Sequence, residues 1–517
     1  SGSVTIASGT TLDVSGSNFA ITADGFTNNG TFNGRSNTVT FDGGTISGII
    51  TFNNVELNGA VDFGSSSTVN GILNINNGGS VTGNAPVYGN SSTLVYKTGA
   101  NFSRSTEWSS TTLDSKGCPY NVSIKSSGGN HSSLNPGANS GSGTAWLIGG
   151  DLTIDVNNGF YMDYSGDDMT QAITVNGNVD VNGTLSLSEQ SGGDLNIKGN
   201  FTLGGSGTFN HRNRAVTFNG SSAQTITGTP TFDYLTINND HPSEKVTPGS
   251  AITVANLLTV TDGIFVSAAS DFAGVTIGSN GTLELSGNIT VSGDWSNSGT
   301  FTPSTNTVTF DGSGAQSITS GGSVFYNLTN SNTSNTLSIA DKLEINSSGT
   351  LTIDGSATLA LAGYEFDDNG CTISNSGTFQ LNGDETLTSG SLSIPGNTKI
   401  VDGSGATLTT GLSGLANVEF NSSGQTFTLG EDMNYITGDV TIASGTTLDA
   451  SGSNYDISLA GNWSNSGTFT SQNGTVTFNG SAAQTISGTN TFYDLTINNS
   501  HVSEKVTPGS AITVANL

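Results

Sequence analysis

The sequence predicts an all-β protein, an elongated parallel β-solenoid (right-handed β-helix) of about 20–25 stacked coils. Three observations lead to this prediction: short runs with two-residue alternation, turn dipeptides between the runs, and internal repeats. In the run from Thr475 to Asn479, Val476 and Phe478 fall on one face and the threonines on the other, as in a half-buried strand. Asn-Gly, Ser-Gly and Asp-Gly pairs separate such runs, and no apolar pattern of helical period persists.

Repeated blocks occur at uneven spacing along the chain. Residues 216–257 return almost unchanged as residues 476–517, and a more divergent copy covers residues 308–328. A different segment, residues 4–13, returns at residues 440–449. Each block is too short to bury its own apolar face and must stack on its neighbours. This favours a solenoid over a string of sandwich domains, which would recur about every 100 residues.

The repeats predict one continuous solenoid over residues 1–517. Because both ends fall inside a repeat, we expect an internal section of a longer chain. Val, Ile, Leu and Phe should point inward, while Ser, Thr and Asn line the outside and form hydrogen-bonded ladders at some corners. The repeat boundaries divide the chain into five sub-blocks: 1–93, 94–198, 199–292, 293–437 and 438–517.

Charge is sparse and mostly negative. The chain has 12 Lys and Arg and 40 Asp and Glu, for a formal net charge of −28. A basic stripe for phosphate backbones is absent, so nucleic acid is not an expected partner. No apolar stretch approaches the ~20 residues of a membrane helix, so no membrane insertion is expected in this segment. Cys118 and Cys371 are too far apart along a solenoid for a disulfide and should be free and buried.

Carboxylates gather in two short segments, neither with a basic residue within about ten positions. We interpret both segments as acidic loops. They are also the candidate sites for Ca²⁺, the one cofactor considered, although each offers only part of the six to eight oxygen ligands that Ca²⁺ needs. A polysaccharide lyase or hydrolase would need such carboxylates as well, with Lys or Arg beside them. The two clusters are Asp163, Asp167 and Asp168, and Glu365, Asp367 and Asp368.

Aromatic residues and sequons give further candidates. An exposed aromatic ring can stack on a sugar, and the candidates for this contact are Trp108, Tyr161 and Tyr164. The alternative for Trp108 is that it fills a coil corner while Arg104 and Glu107 pair beside it. Asn-x-Ser/Thr sequons mark five candidate glycosylation sites: Asn101, Asn121, Asn182, Asn219 and Asn462.

Three motifs recur in the duplicated blocks. They read NW-x-N-x-GTF at residues 461–469, TVTFNG…QTI at residues 475–486 and TFY-x-LTINN at residues 491–499. These motifs resemble the repeats of very large secreted or cell-surface proteins of prokaryotes, and so does the segment 94–155. The resemblance implies surface display and a stalk or adhesin role, and it brings no catalytic residue with it.

The sequence therefore predicts a structural protein of an extracellular filament or cell-surface fibre, and not an enzyme. Its expected partners are further copies of itself, along or beside the filament axis, and its expected location is the cell surface or the extracellular space. One alternative is an adhesin stalk or a protein that binds cell-surface or environmental glycans. Another is a polysaccharide lyase or hydrolase. Ice binding by Thr-x-Thr rows is disfavoured by the uneven repeat spacing.

Overall fold

The computed structural model describes residues 2–14, 16–137, 145–164, 167–388, 394–401, 404–408, 414–503 and 505–516, apart from the side chains of Asp167 and residues 404–408. The chain divides into two compact units, Ser1–Ala268 and Ala269–Leu517. Stacked parallel strands make each unit a β-solenoid, with about 23 turns in the two units together. The predicted all-β solenoid class is confirmed. Helix is limited, among the described residues, to the three-residue 3-10 turn Thr106–Trp108.

The first unit contains two long parallel sheets. Sheet A consists, in stacking order, of Ile21–Ala23, Thr38–Phe41, Asn54–Leu57, Ile72–Asn76, Thr93–Lys97, Asn121–Ile124, Leu152–Ile154, Val179–Val181, Phe201–Leu203, Gln224–Thr227 and Lys245–Pro248. Sheet B consists of Trp146–Ile148, Ile173–Val175, Leu195–Ile197, Ala215–Phe218, Thr231–Asn238 and Thr253–Ser267.

Shorter sheets complete the coils of the first unit. One contains Ser3–Ile6, Gly25–Asn28, Gly44–Gly48, Ala60–Asp62 and Ser80–Val81, and another contains Asn101–Ser103, Ser133–Asn135, Gly159–Tyr161, Thr184–Ser186 and Thr208–Asn210. The smallest contain Ile50–Phe52, Ser67–Val69 and Val87–Tyr88, and Thr11–Asp13 and Thr31–Asn33. An antiparallel hairpin joins Asp163–Tyr164 and Asp167–Asp168.

The second unit repeats this organisation. Sheet C consists of Val275–Leu285, Trp295–Asn297, Gln316–Thr319, Thr336–Ile339, Thr358–Ala360, Thr378–Leu381, Asn397–Ile400, Asn417–Phe420, Val440–Ile442, Trp463–Asn465, Gln484–Gly488 and Val506–Pro508. Sheet D consists of Ser270–Phe272, Ile289–Val291, Thr307–Phe310, Val324–Asn330, Leu343–Ile353 and Thr372–Asn375. The remaining described strands of this unit are Thr300–Thr302, Phe366–Asp367, Leu387–Thr388, Ser404–Leu408, Thr426–Leu429, Met433–Ile436, Thr447–Asp449, Ile457–Leu459, Thr468–Thr470, Thr475–Phe478, Asn490–Phe492, Asp494–Ile497 and Ile512–Val514.

The strands follow the two-residue alternation that the sequence predicts. In Thr475–Phe478, Val476 and Phe478 are buried and the threonines are half-exposed. The strand pairs in parallel with the preceding coil, so that Val476 aligns with Ile457 and Phe478 with Leu459. Apolar side chains of neighbouring coils therefore stack directly on one another inside the solenoid.

One pair of core positions differs between the duplicated blocks. Leu235 and Ile237 are fully buried, because their strand has a paired neighbour on each side. The equivalent Leu495 is half-exposed and Ile497 is exposed. Their strand pairs, among the described residues, with one neighbour only.

Ladders of Asn and Asp side chains run along a corner in each unit. The side-chain oxygen of each member accepts a hydrogen bond from a backbone N–H one coil further on, at 2.7–2.9 Å in the first unit. The members in the first unit are Asn121, Asp151, Asn178 and Asn200. The members in the second unit are Asn417, Asp439 and Asn462. These ladders confirm the predicted corner role of Asn, and they satisfy backbone donors where the strands bend.

Glycine precedes several ladder residues because the corner has no room for a Cβ atom. A Cβ built on Gly461 would lie 2.3 Å from the carbonyl carbon of Gly438 and 2.5 Å from Oδ1 of Asp439. Gly177 meets the same obstacle, with Oδ1 of Asp151 at 2.3 Å. The Gly-Asn and Gly-Asp pairs of the sequence therefore mark corners where one coil rests on the side chain of the coil before it.

A buried glutamine links neighbouring coils in the QTI motif. Nε2 of Gln484 donates to the carbonyl oxygens of Leu459 at 3.2 Å and Gly461 at 2.6 Å. Its Oε1 accepts from the N–H of Gly480 at 3.1 Å and from Nδ2 of Asn499 at 2.9 Å. Both donors and both acceptor sites of the amide are therefore used. The glycine of TVTFNG and the last asparagine of LTINN belong to the same hydrogen-bond network as the glutamine.

The same four hydrogen bonds recur in the other two copies of the motif. Gln224 bonds to Ile197, Gly199, Gly220 and Asn239. Gln316 bonds to Val291, Gly293, Gly312 and Asn332. The more divergent copy keeps the glycine and the glutamine of the motif and, with them, the same network.

Aromatic rings account for the remaining motif positions. The Trp463 ring packs edge-to-face against Phe469, with centroids 4.9 Å apart, and against Phe492 at 5.8 Å. Phe492 belongs to the TFY motif, so the two motifs meet in the core. Oδ1 of Asn465 accepts the N–H of Gly467 at 3.0 Å and closes the turn between the two rings of NW-x-N-x-GTF.

We expect Gln484→Ala to loosen the coils around it. The groups around Gln484 would lose their partner in a buried site, which costs about 1–3 kcal/mol for each unsatisfied group. Hydrogen exchange read by mass spectrometry should be faster in peptides from residues 457–488. Gln380→Ala, which removes a half-exposed glutamine, is the control. Unchanged exchange in the Gln484 variant would contradict a stabilising role for the network.

We also expect Gly461→Ala to be destabilising, because the added methyl group overlaps the preceding coil. Overpacking of this kind costs about 1–3 kcal/mol. The midpoint of guanidinium unfolding should fall relative to Gly452→Ala, where no atom lies within 4 Å of the added Cβ. Equal midpoints for the two variants would show that the corner has more space than the structure indicates.

Candidate functional site

The first acidic cluster lies on the hairpin of the first unit and forms ion pairs. Nε of Arg212 lies 2.9 Å from Oδ2 of Asp163, and its Nη1 lies 3.0 Å from Oε1 of Glu189. Oδ2 of Asp168 accepts a side-chain amide hydrogen bond at 3.3 Å. The side chain of Asp167 lies outside the described residues. Coil stacking thus brings a guanidinium group to a cluster that has no basic neighbour in the sequence.

The second acidic cluster surrounds an ammonium group. Nζ of Lys342 lies 2.5 Å from Glu344, 3.1 Å from Glu365 and 3.2 Å from Asp367. Hydrogen bonds to Glu344 and then to Glu365 raise the pKa of Lys342 above its usual range. Asp368 is turned away and buried, and its Oδ1 accepts the N–H of Gly370 at 3.0 Å.

Each cation contacts a carboxylate that lies one coil away along the chain. Lys342 and Asp367 are 25 positions apart, and Arg212 and Glu189 are 23 apart. A search of neighbouring sequence misses such pairs, whereas a search at the coil period would find them. In the described part of the chain, no group of three or more His, Cys, Asp or Glu side chains is placed to hold a metal ion. Calcium binding at these clusters stays a prediction.

Trp108 is buried, so of its two predicted roles the structure favours packing in the core over stacking on a sugar. Its Nε1 donates to the carbonyl oxygen of Leu147 at 3.0 Å, and its ring lies 4.8 Å from that of Trp146. The guanidinium carbon of Arg104 lies 4.1 Å from the centroid of Trp146, in a cation–π contact. The ring of Trp108 therefore has no exposed face for a sugar.

Glu107, beside this tryptophan, is a fully buried carboxyl group. Its Oε1 accepts the hydroxyl of Tyr96 at 3.0 Å and the N–H of Ser105 at 2.9 Å. Its Oε2 has no partner among the described atoms. Burial is the main cause that raises the pKa of Glu107, and burial followed by the charge of Glu107 raises the pKa of Tyr96 and Tyr88. The sequence suggests that Glu107 pairs with Arg104 beside Trp108, and it gives no signal of this complete burial.

The two tyrosine candidates lie together on the surface. The rings of Tyr161 and Tyr164 are half-exposed, with centroids 6.4 Å apart. Nδ2 of Asn101 donates to the hydroxyl of Tyr164 at 2.6 Å. The structure therefore brings a candidate glycosylation site next to the candidate sugar-stacking residues, and both roles stay predictions.

The other sequons occupy different environments. Nδ2 of Asn121 donates to a backbone carbonyl at 3.2 Å, and Nδ2 of Asn462 donates to a ladder carboxylate at 3.0 Å. A glycan is attached to Nδ2, so its attachment would replace one of the two N–H donors at each of these contacts. Asn182 and Asn219 are half-exposed, although Oδ1 of Asn219 is buried without a partner among the described atoms. Glycosylation stays a prediction at all of these positions.

The two cysteines are free thiols, as the sequence predicts. Cys118 is buried, but Cys371 is only partly buried, because it follows the exposed turn at Asn369 and Gly370. Burial raises the pKa of each thiol to about 11. Both thiols are therefore protonated at neutral pH.

Comparison of the chain with models of protein families, with curated proteins and with solved structures gives no match. No helix in the described part of the chain has the length and apolar character needed to cross a membrane.

We expect Glu107→Gln to change how stability depends on pH. A raised folded-state pKa means that Glu107 contributes most stability below its unfolded-state pKa, and that this contribution is lost as pH rises through the folded-state pKa. Thermal melts from pH 4 to pH 8 should therefore show the variant gaining stability relative to the wild type as pH rises. Glu56→Gln removes an outward carboxylate as a control. A variant that is less stable by the same amount at every pH would contradict the prediction.

Proposed function

We propose that this chain is a structural section of an extracellular filament or cell-surface fibre, with stacked β coils as its load-bearing part. One observation supports this most directly. The motif residues that recur along the chain are used between neighbouring coils, as shown by the four bonds of Gln224, Gln316 and Gln484. The sequence that duplication has kept is therefore the sequence that holds coils together.

The recurring outward positions support the same role. Thr217, Thr309 and Thr477 occupy the same outward position in the TVTF runs, and each is half-exposed. Such side chains present hydroxyl groups without charge, and only 10% of the residues in the chain are charged. Such hydroxyl groups can donate hydrogen bonds to another copy of the chain and accept them from it. Self-association along or beside the fibre axis, outside the cell, is part of the proposal.

The enzymatic alternative has one observation in its favour, since carboxylates and a lysine meet on the surface at Lys342. A lysine that removes a proton needs a lowered pKa, because only the neutral amine is a base. The three carboxylates around Lys342 raise its pKa. This direction opposes base catalysis, and the proposal treats the chain as non-enzymatic.

Immunogold electron microscopy of cells that make the protein tests the fibre role. Antibodies against the chain should label surface fibres along their length, and cells that lack the gene should show no label. Label confined to fibre tips would favour the adhesin alternative. Label inside the cell, or on short isolated particles only, would overturn the proposal.

A further inference from the structure

An open groove of about 530 Å³ crosses the outer surface of the first unit. It follows consecutive coils of sheet A, from Asn74 through Lys97, Lys125 and Asp155 to Asn182. Strands in a sheet lie about 4.8 Å apart, so these five positions extend over roughly 19 Å. The groove therefore has a length and direction that suit a linear polymer.

Lys97 and Lys125 occupy successive places in this groove. Tyr96 pairs with Ile124 in parallel register, and the N–H of Lys125 donates to the carbonyl oxygen of Tyr96 at 2.9 Å. Both lysine side chains are exposed, so two positive charges leave the same face of the sheet from neighbouring coils. Like charges placed opposite each other on paired strands are destabilising. Asp155 follows Lys125 on the next coil and offsets part of this repulsion, whereas Lys97 lies between Lys125 and the neutral Asn76. The fold therefore compensates the charge of Lys97 least.

These two lysines differ from the cations that are held in ion pairs. Arg35, Arg212 and Lys342 each have a carboxylate oxygen within 2.9 Å. In the described part of the chain, no carboxylate oxygen lies within 4.0 Å of the ammonium nitrogen of Lys97 or Lys125. In a chain of net charge −28, the groove is thus a local positive site open to an external anion.

We propose that the groove binds a carboxylated polysaccharide, with carboxylates of neighbouring sugar units on Lys97 and Lys125. The two lysines lie on strands about 4.8 Å apart, so two carboxylates of one linear polymer can contact both of them. Beyond the lysines, the Asp155 carboxylate and the amides of Asn74 and Asn182 suit sugar hydroxyls, which both donate and accept hydrogen bonds.

The rest of the lining favours a sugar polymer over a nucleic acid. Ile72 and Val156 are exposed in the groove and offer apolar contact to the C–H faces of sugar rings. The lining contains no aromatic side chain among the described residues, so bases would find no stacking surface. The inference goes beyond the fibre role and holds equally for an adhesin stalk.

Isothermal titration calorimetry with oligogalacturonate at low salt tests the groove. The double variant Lys97→Ala/Lys125→Ala should bind at least about tenfold more weakly than the wild type, a difference of about 1.4 kcal/mol. Added salt should weaken binding to the wild type, because ammonium–carboxylate contacts at a surface are screened. The control Lys198→Ala/Lys505→Ala removes the same charge from exposed lysines outside the groove, and it should bind like the wild type.

Several outcomes would overturn the inference. The wild type could fail to bind oligogalacturonate, or the Lys97/Lys125 variant could bind it with the same affinity as the wild type. The Lys198/Lys505 control could also lose as much affinity as the Lys97/Lys125 variant. If neutral dextran bound with equal affinity, the carboxylates of the polymer would not be what the groove recognises. If single-stranded DNA bound more tightly through the same lysines, the ligand would be a nucleic acid and not a polysaccharide. Thermal melts should show no loss of stability in either variant, so that weaker binding cannot be attributed to unfolding. Fibres labelled by antibody without polysaccharide binding would leave the fibre role intact.

Discussion

A single coil of this chain can neither pair its own backbone groups nor enclose its own apolar side chains, and parallel stacking meets both needs at once. Along the strands, each N–H and C=O finds a partner in the next coil. At corners the strand pattern breaks, and side chains take over: Asn and Asp ladders accept backbone donors, and buried glutamines join neighbouring coils. Glycine is needed at the same corners because the preceding coil already occupies the space of a Cβ atom.

The sequence predicts the fold well because strand alternation is a local property. Val476 and Phe478 are recognisable as core residues from their two-residue spacing, and both are buried. Contacts between coils are harder to predict, because coil length varies and a partner can lie at different distances along the chain. Lys342 meets Asp367 one coil later, and no local pattern announces that contact. The burial of Ile237 likewise depends on the coils that pair on both sides of its strand, which its own sequence does not reveal.

Candidate sites are visible in the sequence when their residues are close along the chain, and they are missed when only strand register brings the residues together. Tyr161 and Tyr164 are close in the chain and lie together in the structure. Trp108 is also aromatic, but its ring is buried in the core. A long connection lies between Lys97 and Lys125 in the chain, so their alignment on neighbouring coils is seen only when the strand register is known. Repeated residues build the interior of the solenoid, and unrepeated residues such as these lysines give a local stretch of surface its own chemistry.

The glutamine network also bears on how such a chain can lengthen. Around Gln484 the network begins at the corner glycine Gly461 and ends at Asn499 on the following coil. If a duplicated segment were shorter than this network, the copied glutamine would lose the asparagine that donates to its Oε1. Alternatively, it would pack against a corner residue that has a side chain in place of Gly461. Gene duplication can therefore cut this chain at few places without leaving buried amides unpaired. Uneven repeat spacing then has a physical meaning, since coils outside the network can vary in length and number while the network is inherited as a whole.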